Sequence, residues 1–181
     1  MKKVLLALLL IGGGANVYAQ KYMTRTGKVS FFSSTPVENI SAVNNEAGSV
    51  LDSKTGDVVF QIAIKSFKFE KALMEEHFNE NYMESDKFPK SEFKGKVTDL
   101  SKVNFAKDGK YDVTAAGKLT MHGVTKDVSI PGTITVKGNQ AILNAKFKVK
   151  PQDYKIKIPS MVENKIAKEI EVTVNSILDK K

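Results

Sequence analysis

Residues 111–136 read YDVTAAGKLTMHGVTKDVSIPGTITV, and the fold of the chain turns on how this stretch is read. Apolar or small residues recur at every second position, at Tyr111, Val113, Ala115, Gly117, Leu119 and Met121. The alternation resumes at Val128, Ile130, Gly132, Ile134 and Val136. Successive side chains of a β-strand point to opposite faces, so period two on both sides of a Gly-containing connection predicts a hairpin with one buried face. The connection, predicted over residues 122–127, holds His122, one of two histidines in the chain. Whether the hairpin is a catalytic edge or the wall of a ligand-holding enclosure depends on its neighbours.

Downstream, Lys137-Gly138-Asn139 predicts a tight turn. Ala141, Leu143, Ala145, Phe147 and Val149 then alternate against Gln140, Asn144, Lys146 and Lys148, a strand with one buried face. Residues 151–154 leave it, and Ile166, Ile170, Val172 and Val174 predict a last strand ending near Leu178. Upstream, Asp108-Gly109 predicts a hairpin turn back to a strand over residues 91–103. Residues 71–83, KALMEEHFNENYM, place Leu73, Met74, His77, Phe78 and Met83 at helical spacing, with Glu75, Glu76 and Glu80 on an acidic face. Phe88-Pro89 stops that helix, because the residue before proline is pushed out of the α region. Residues 58–64 alternate, but the parity switches at Phe67 and Phe69, which predicts a bulge between Ile64 and Phe67. Two further strands are predicted over residues 22–33 and 40–51. The fold class is therefore all-β: about eight antiparallel strands, with one short helix inserted between the third and fourth. Strands at this spacing form a barrel or a sandwich, and a closed eight-stranded barrel removes exposed edges and has room for one small ligand.

The 181 residues suffice for one domain with a core of its own. Lys2-Lys3, the apolar run 4–11 and Val17-Tyr18-Ala19 predict a signal peptide over residues 1–19, leaving a single domain over residues 20–181. The apolar run is too short to span a bilayer, so no transmembrane segment is expected after signal removal. There is no cysteine, hence no disulfide framework and no lipidated cysteine at the cleavage site. The net charge of +8 falls to +6 without Lys2 and Lys3. Lysines such as Lys146, Lys148 and Lys150 alternate with apolar residues rather than cluster with aromatics, so the charge reads as a solvated outer face and not as a nucleic-acid interface.

Two stretches together resemble the YceI-like family of secreted bacterial proteins. The first is the histidine-bearing helix and its exit, His77-Phe78-Asn79-Glu80-Asn81-Tyr82, followed by Phe88-Pro89 and Phe93. The second is the hairpin motif Gly117-Lys118-Leu119-Thr120-Met121-His122-Gly123-Val124-Thr125. Phe147, Asp153, Tyr154 and Ile156 are similar to the family's later segment, although Lys155 stands where the family usually has glycine. The resemblance implies a lipocalin-like barrel in the periplasm, or secreted, that binds a long isoprenoid or similar amphiphile in an apolar tunnel, with no established catalytic residues. No cofactor is expected beyond such a non-covalently held lipid, and the expected state is a monomer or homodimer.

The candidate ligand-binding residues are Phe60, Ile62, Ile64, Phe67, Phe69, Met74, His77, Phe78, Tyr82, Phe93, Leu119, Met121, His122, Ile130, Ala145 and Phe147. These side chains either fill a barrel or line a hollow one. Small residues of inward parity, Ala115, Gly117, Ala141 and Ala145, point to a hollow, and Met74, Met83 and Met121 suit a flexible apolar chain. Lys126, Lys87 and Arg25 are candidates to meet an anionic head group. A second reading is a secreted enzyme using His77 and His122, with or without a metal. Against it, two histidines supply only part of a zinc site, and no HExxH spacing or nucleophile elbow is present. A third reading is an envelope module that binds other proteins, which an exposed apolar patch would favour.

Overall fold

The computed structural model describes residues 21–181, so the predicted signal peptide, residues 1–19, lies outside the described residues. In chain order the strands are β1 (Lys21–Ser34), β2 (Asn39–Asp52), β3 (Asp57–Ala63), β4 (Lys68–Phe69), β5 (Lys90–Val97), β6 (Gly109–Met121), β7 (Val124–Lys137), β8 (Gln140–Val149) and β9 (Ile170–Lys180), with the helix α1 (Ala72–His77) between β4 and β5. All pairings are antiparallel, in the order β1-β9-β8-β7-β6-β5-β3-β2, and β1 also pairs with β2. That last pairing closes an eight-stranded barrel. Strand β4 is a two-residue addition to β2, so α1 follows the third barrel strand, as the sequence predicts.

The 111–136 stretch is the hairpin β6–β7, in continuous register from Gly109↔Val136 to Met121↔Val124. Its turn is shorter than the six residues expected. Only His122 and Gly123 form it, with φ of 50° and 72°. Positive φ at both central residues is the type I′ geometry that matches strand twist, and glycine is the residue that adopts it at least cost.

Three other expectations are corrected. Asp108-Gly109 is not a hairpin turn, because Val97 pairs with Ala115, six residues inside β6. β5 is too short to reach the start of β6, so residues 98–108 wrap across the barrel end, and Asp108 Oδ1 accepts the Gly138 amide at 2.8 Å. The strand expected over residues 91–103 accordingly stops at Val97, and Leu100 and Val103 turn inward onto the core. The parity switch before Phe67 comes from a 3₁₀ turn, Ile64–Ser66, rather than a bulge. The Ile64 amide bonds the Pro89 carbonyl at 2.9 Å, and the chain swings across to pair Phe69 with Ala42. Asn44, fully buried, spans the gap this leaves, donating Nδ2 to the Ala63 carbonyl at 3.0 Å.

The antiparallel order places two very different sets of connections at the two barrel ends. At one end lie the turns 53–56 and 138–139, the crossing 98–108 and the chain end at Lys181. Tyr22, Leu51, Val136, Ala141 and Leu178 are buried there, packed against Leu100, Val103, Phe105 and Tyr111. Tyr22 and Phe105 lie with ring centroids 5.5 Å apart. Each large side chain so buried contributes about 1.5–3 kcal/mol. At the other end lie the turn 35–38, the excursion 64–89 carrying α1, the His122-Gly123 turn, and the long connection 150–169 with its two 3₁₀ segments, Pro151–Tyr154 and Ser160–Lys165. No helix among the described residues is long and apolar enough to cross a membrane.

Candidate functional site

Between the plugged end and the connections opposite, the barrel encloses a cavity of about 620 Å³. This lies within the range of small-molecule sites, roughly 300–1,000 Å³. On β8 the lining runs from Leu143 to Val149, about 20 Å along the strand at ~3.4 Å per residue. Every sequence candidate but one lines it: Phe60 and Ile62 from β3, Ile64, Phe67 and Phe69 from the excursion, Met74, His77, Phe78 and Tyr82 from the helix and its exit, Phe93 from β5, Leu119 and Met121 from β6, Ile130 from β7, and Ala145 and Phe147 from β8. Met83 lines it as well, so the three methionines singled out meet in one space.

The small residues divide into two kinds. Ala115 and Ala145 face the cavity and leave it volume. Gly117 does not line it. A Cβ there would sit 2.3 Å from Gly95 Cα and 2.3 Å from the Lys94 carbonyl oxygen, so this glycine permits close approach of β5 and β6. Ala141 belongs to the plug and is fully buried.

Helix α1 continues into one turn of π-helix, Phe78–Tyr82, and together they cover part of the mouth. Phe78 seats them on the barrel. Its ring stacks on Phe31 at 5.4 Å and meets Phe67 at 5.6 Å and Phe69 at 5.1 Å. Glu75 adds the polar tie: its carboxylate accepts from Lys68 Nζ at 2.8 Å and from the Phe69 amide at 3.3 Å. The Lys68 hydrogen bond holds the Glu75 carboxyl below its ordinary value, outweighing the desolvation that acts the other way. The rim beyond is formed by Glu38, Lys71, Leu73, Val162, Lys165 and Ile166, with Lys71 Nζ 3.9 Å from Glu38.

His122 is the exception among the candidates, for it does not line the cavity. Its Nδ1 donates to the Tyr154 carbonyl at 3.1 Å, and its Nε2 faces Glu84 Oε2 at 2.8 Å. The Phe88 ring packs on it with centroids 4.5 Å apart, and a Cβ on Gly123 would fall 2.6 Å from that ring. Among the described residues, the non-glycine positions with positive φ are Glu84, His122 and Lys155. All three meet at these two hydrogen bonds, since Lys155 follows the Tyr154 carbonyl directly. Strained backbone of this kind persists only where its surroundings hold it. His122 therefore acts as a clamp, tying the β6–β7 turn to the helix exit and to the β8–β9 connection.

His77 lines the mouth and is exposed, whereas both nitrogens of His122 are engaged in the clamp. No group of three His, Cys, Asp or Glu side chains among the described residues is placed to hold a metal. Lys126, Lys87 and Arg25 do not line the cavity; Lys87 lies over the Phe88 ring at 5.0 Å instead. The cations at the mouth are Lys71 and Lys165. Sequence reading also missed the wall built by Val29 and Phe31 of β1 and Val172 and Val174 of β9. Their alternation was visible, but only barrel closure brings the first and last strands together. Val162 was missed for want of any periodic signal, as it sits in an irregular connection, and Ile166, expected to open the last strand, lies ahead of β9 (Ile170–Lys180) and lines the mouth instead.

A family model described as a YceI-like domain matches residues 19–177. No curated protein matches the chain. Among solved structures, a polyisoprenoid-binding domain from Saccharophagus degradans, implicated in plant cell wall breakdown, superposes with a TM-score of 0.78 at 13% identity, covering 89% of this chain and 98% of that one. BcnA of Burkholderia cenocepacia superposes with a TM-score of 0.65 at 16% identity, covering 83% and 95%. The YceI protein of Campylobacter jejuni does so with a TM-score of 0.57 at 18% identity, covering 75% and 81%. At these identities the likeness is one of fold.

Proposed function

The chain belongs to the YceI-like family, and from that premise we propose that it is a binding protein that holds a long-chain amphiphile, an isoprenoid or a relative of one, in its barrel cavity within the periplasm. The observation that carries this reading is the cavity itself, about 620 Å³ with an inner wall almost wholly apolar. A barrel of eight strands has no need to be hollow, and filling it would add stability. An unfilled apolar lumen is therefore best explained by something that enters it. The similar domain described as polyisoprenoid-binding supports the class of ligand. The polar end of the amphiphile stays at the mouth beside Lys71 and Lys165, because burying it among Phe60, Phe93 and Ile130 would leave it without partners.

Mass spectrometry of an organic extract of the natively purified protein tests the proposal. The expected result is a stoichiometric long-chain lipid. Repeated extraction of nothing, from a protein whose crystals show a filled lumen, would overturn it.

A further inference from the structure

The β8–β9 connection faces two ways. Its inner side lines the cavity through Pro151, Ile156, Ile158, Val162 and Ile166. Its outer side forms a separate cleft that shares Pro151, Ile156, Ile158 and Ile166 as its floor and has Lys155, Lys157 and Lys168 around it. The segment is thus a wall one side chain thick between the lumen and a cationic surface.

That surface has the composition of a bilayer-docking element. Residues 150–168 carry five lysines against Asp153 and Glu163, a net charge of +3. Lys150 is drawn to Glu169 at 3.7 Å, but Lys155, Lys157, Lys165 and Lys168 have no ion pair among the described residues. Some lysines elsewhere on the barrel are paired, as in Lys118–Asp127, Lys146–Glu171 and Lys94–Glu92. Within the lysine cluster stands Met161, 90% exposed, the most exposed of the large apolar side chains described. Leu73, on α1 at the rim of the mouth, is 60% exposed, and Val37, beside Glu38, is 57% exposed. Met161, exposed among the unpaired Lys157, Lys165 and Lys168, matches the interfacial zone of an anionic membrane, where an apolar group enters the acyl boundary and the ammonium groups meet phosphates.

We propose that residues 150–168 dock the mouth of the barrel on the surface of an anionic phospholipid bilayer, with Met161 inserted and Lys155, Lys157, Lys165 and Lys168 at the level of the lipid phosphates. The docking is independent of what the cavity holds. It sets the side of the mouth built by Ile156, Ile158 and Ile166 against the membrane.

Flotation of the mature protein with vesicles tests this directly. Binding is expected to equimolar phosphatidylcholine and phosphatidylglycerol, and not to phosphatidylcholine alone. It should be lost at about 1 M salt, where the screening length shrinks to ~3 Å. Each neutralised lysine should weaken binding about fivefold, so Lys155→Gln/Lys157→Gln/Lys168→Gln together should weaken it about a hundredfold. Met161→Ser should weaken it about tenfold. These side chains are exposed, so circular dichroism should show unchanged folding. Lys107→Gln/Lys137→Gln, at the plugged end, should leave binding as it was. Equal binding to both vesicle types, or equal losses from substitutions at the two ends, would overturn the proposal. Ala145→Phe, which narrows the cavity, should bind vesicles undiminished. Loss of binding in that variant would mean that the protein was extracting lipid rather than docking, and would overturn it as well.

Discussion

The two ends of this barrel are made by the same eight strands with the same alternation, yet one is a core and the other a container. At the plugged end Tyr22, Leu51, Val136 and Leu178 converge, and the crossing segment adds Leu100, Val103 and Phe105 from outside the sheet. At the hollow end the strands carry residues just as apolar, among them Phe60, Ile62, Leu119 and Phe147, but Ala115 and Ala145 stand midway along the wall, and among the described residues the connections cover the mouth without filling the space. The difference teaches that apolar inward parity predicts only dryness. Whether the dry interior is solid depends on the size of a few side chains and on where one connection goes.

The comparison is broken most severely from the plugged side. Leu178→Ala removes a fully buried side chain from a packed region and should cost about 3 kcal/mol in urea unfolding. Phe147→Ala, on the hollow side, only widens existing space and should cost about half as much or less. Equal costs would mean that the lumen is packed after all.

His122→Ala opens the clamp at the hollow end. It strands the Glu84 carboxylate and the Tyr154 carbonyl and leaves an alanine at a φ of 50°, so a loss of about 2 kcal/mol is expected in thermal unfolding. Ligand exchange should quicken at the same time, as three mouth connections lose their common tie. An unchanged exchange rate would confine His122 to stability alone.

Ala145→Phe sharpens the comparison in the opposite sense. If Ala145 faces free volume, the phenyl ring enters it with a stability change below about 1 kcal/mol and abolishes uptake of a fluorescent long-chain fatty acid. If the site were packed, overpacking should cost about 1–3 kcal/mol.

The smallest effect concerns the helix over the mouth. The folded-state carboxyl of Glu75 titrates below its ordinary value of 4.5 because Lys68 donates to it. Its tie to β4 is therefore fully present above pH 4.5 and is lost as the pH falls through the lower, folded value. Fatty-acid release should accelerate modestly over that acidic interval in the native protein. Glu75→Gln should release faster at neutral pH and lose that part of the pH dependence. A variant with the native pH profile would remove Glu75 from the latch.

Much of this architecture was legible because strand geometry repeats every two residues. The β6–β7 hairpin, β8 and the inward set Leu119, Met121, Ile130, Ala145 and Phe147 follow from alternation alone, and a histidine followed by glycine marked the turn between β6 and β7. The helix over residues 71–83 was legible from its change of period, though its second half winds as a π-turn. What failed did so where a local signal competed with a distant partner. Asp108-Gly109 has the chemistry of a hairpin turn, but β5 ends too soon for one. Gly117 reads as lumen volume, but its missing side chain makes room for the backbone of β5. His122 reads as a reactive group beside a cavity, but it bonds residues 38 and 32 positions away in the chain.

By itself, then, the sequence determined an all-β chain with one apolar strand face, one short helix and a glycine-dependent turn, because these depend on periods of a few residues and on local φ. Only the tertiary structure decided that β1 closes against β9 and β2, that one end is stoppered while the other is hollow, and that His122 clamps rather than lines. Those outcomes depend on which distant segments share a volume, and volume is a property of the closed barrel, not of any strand within it.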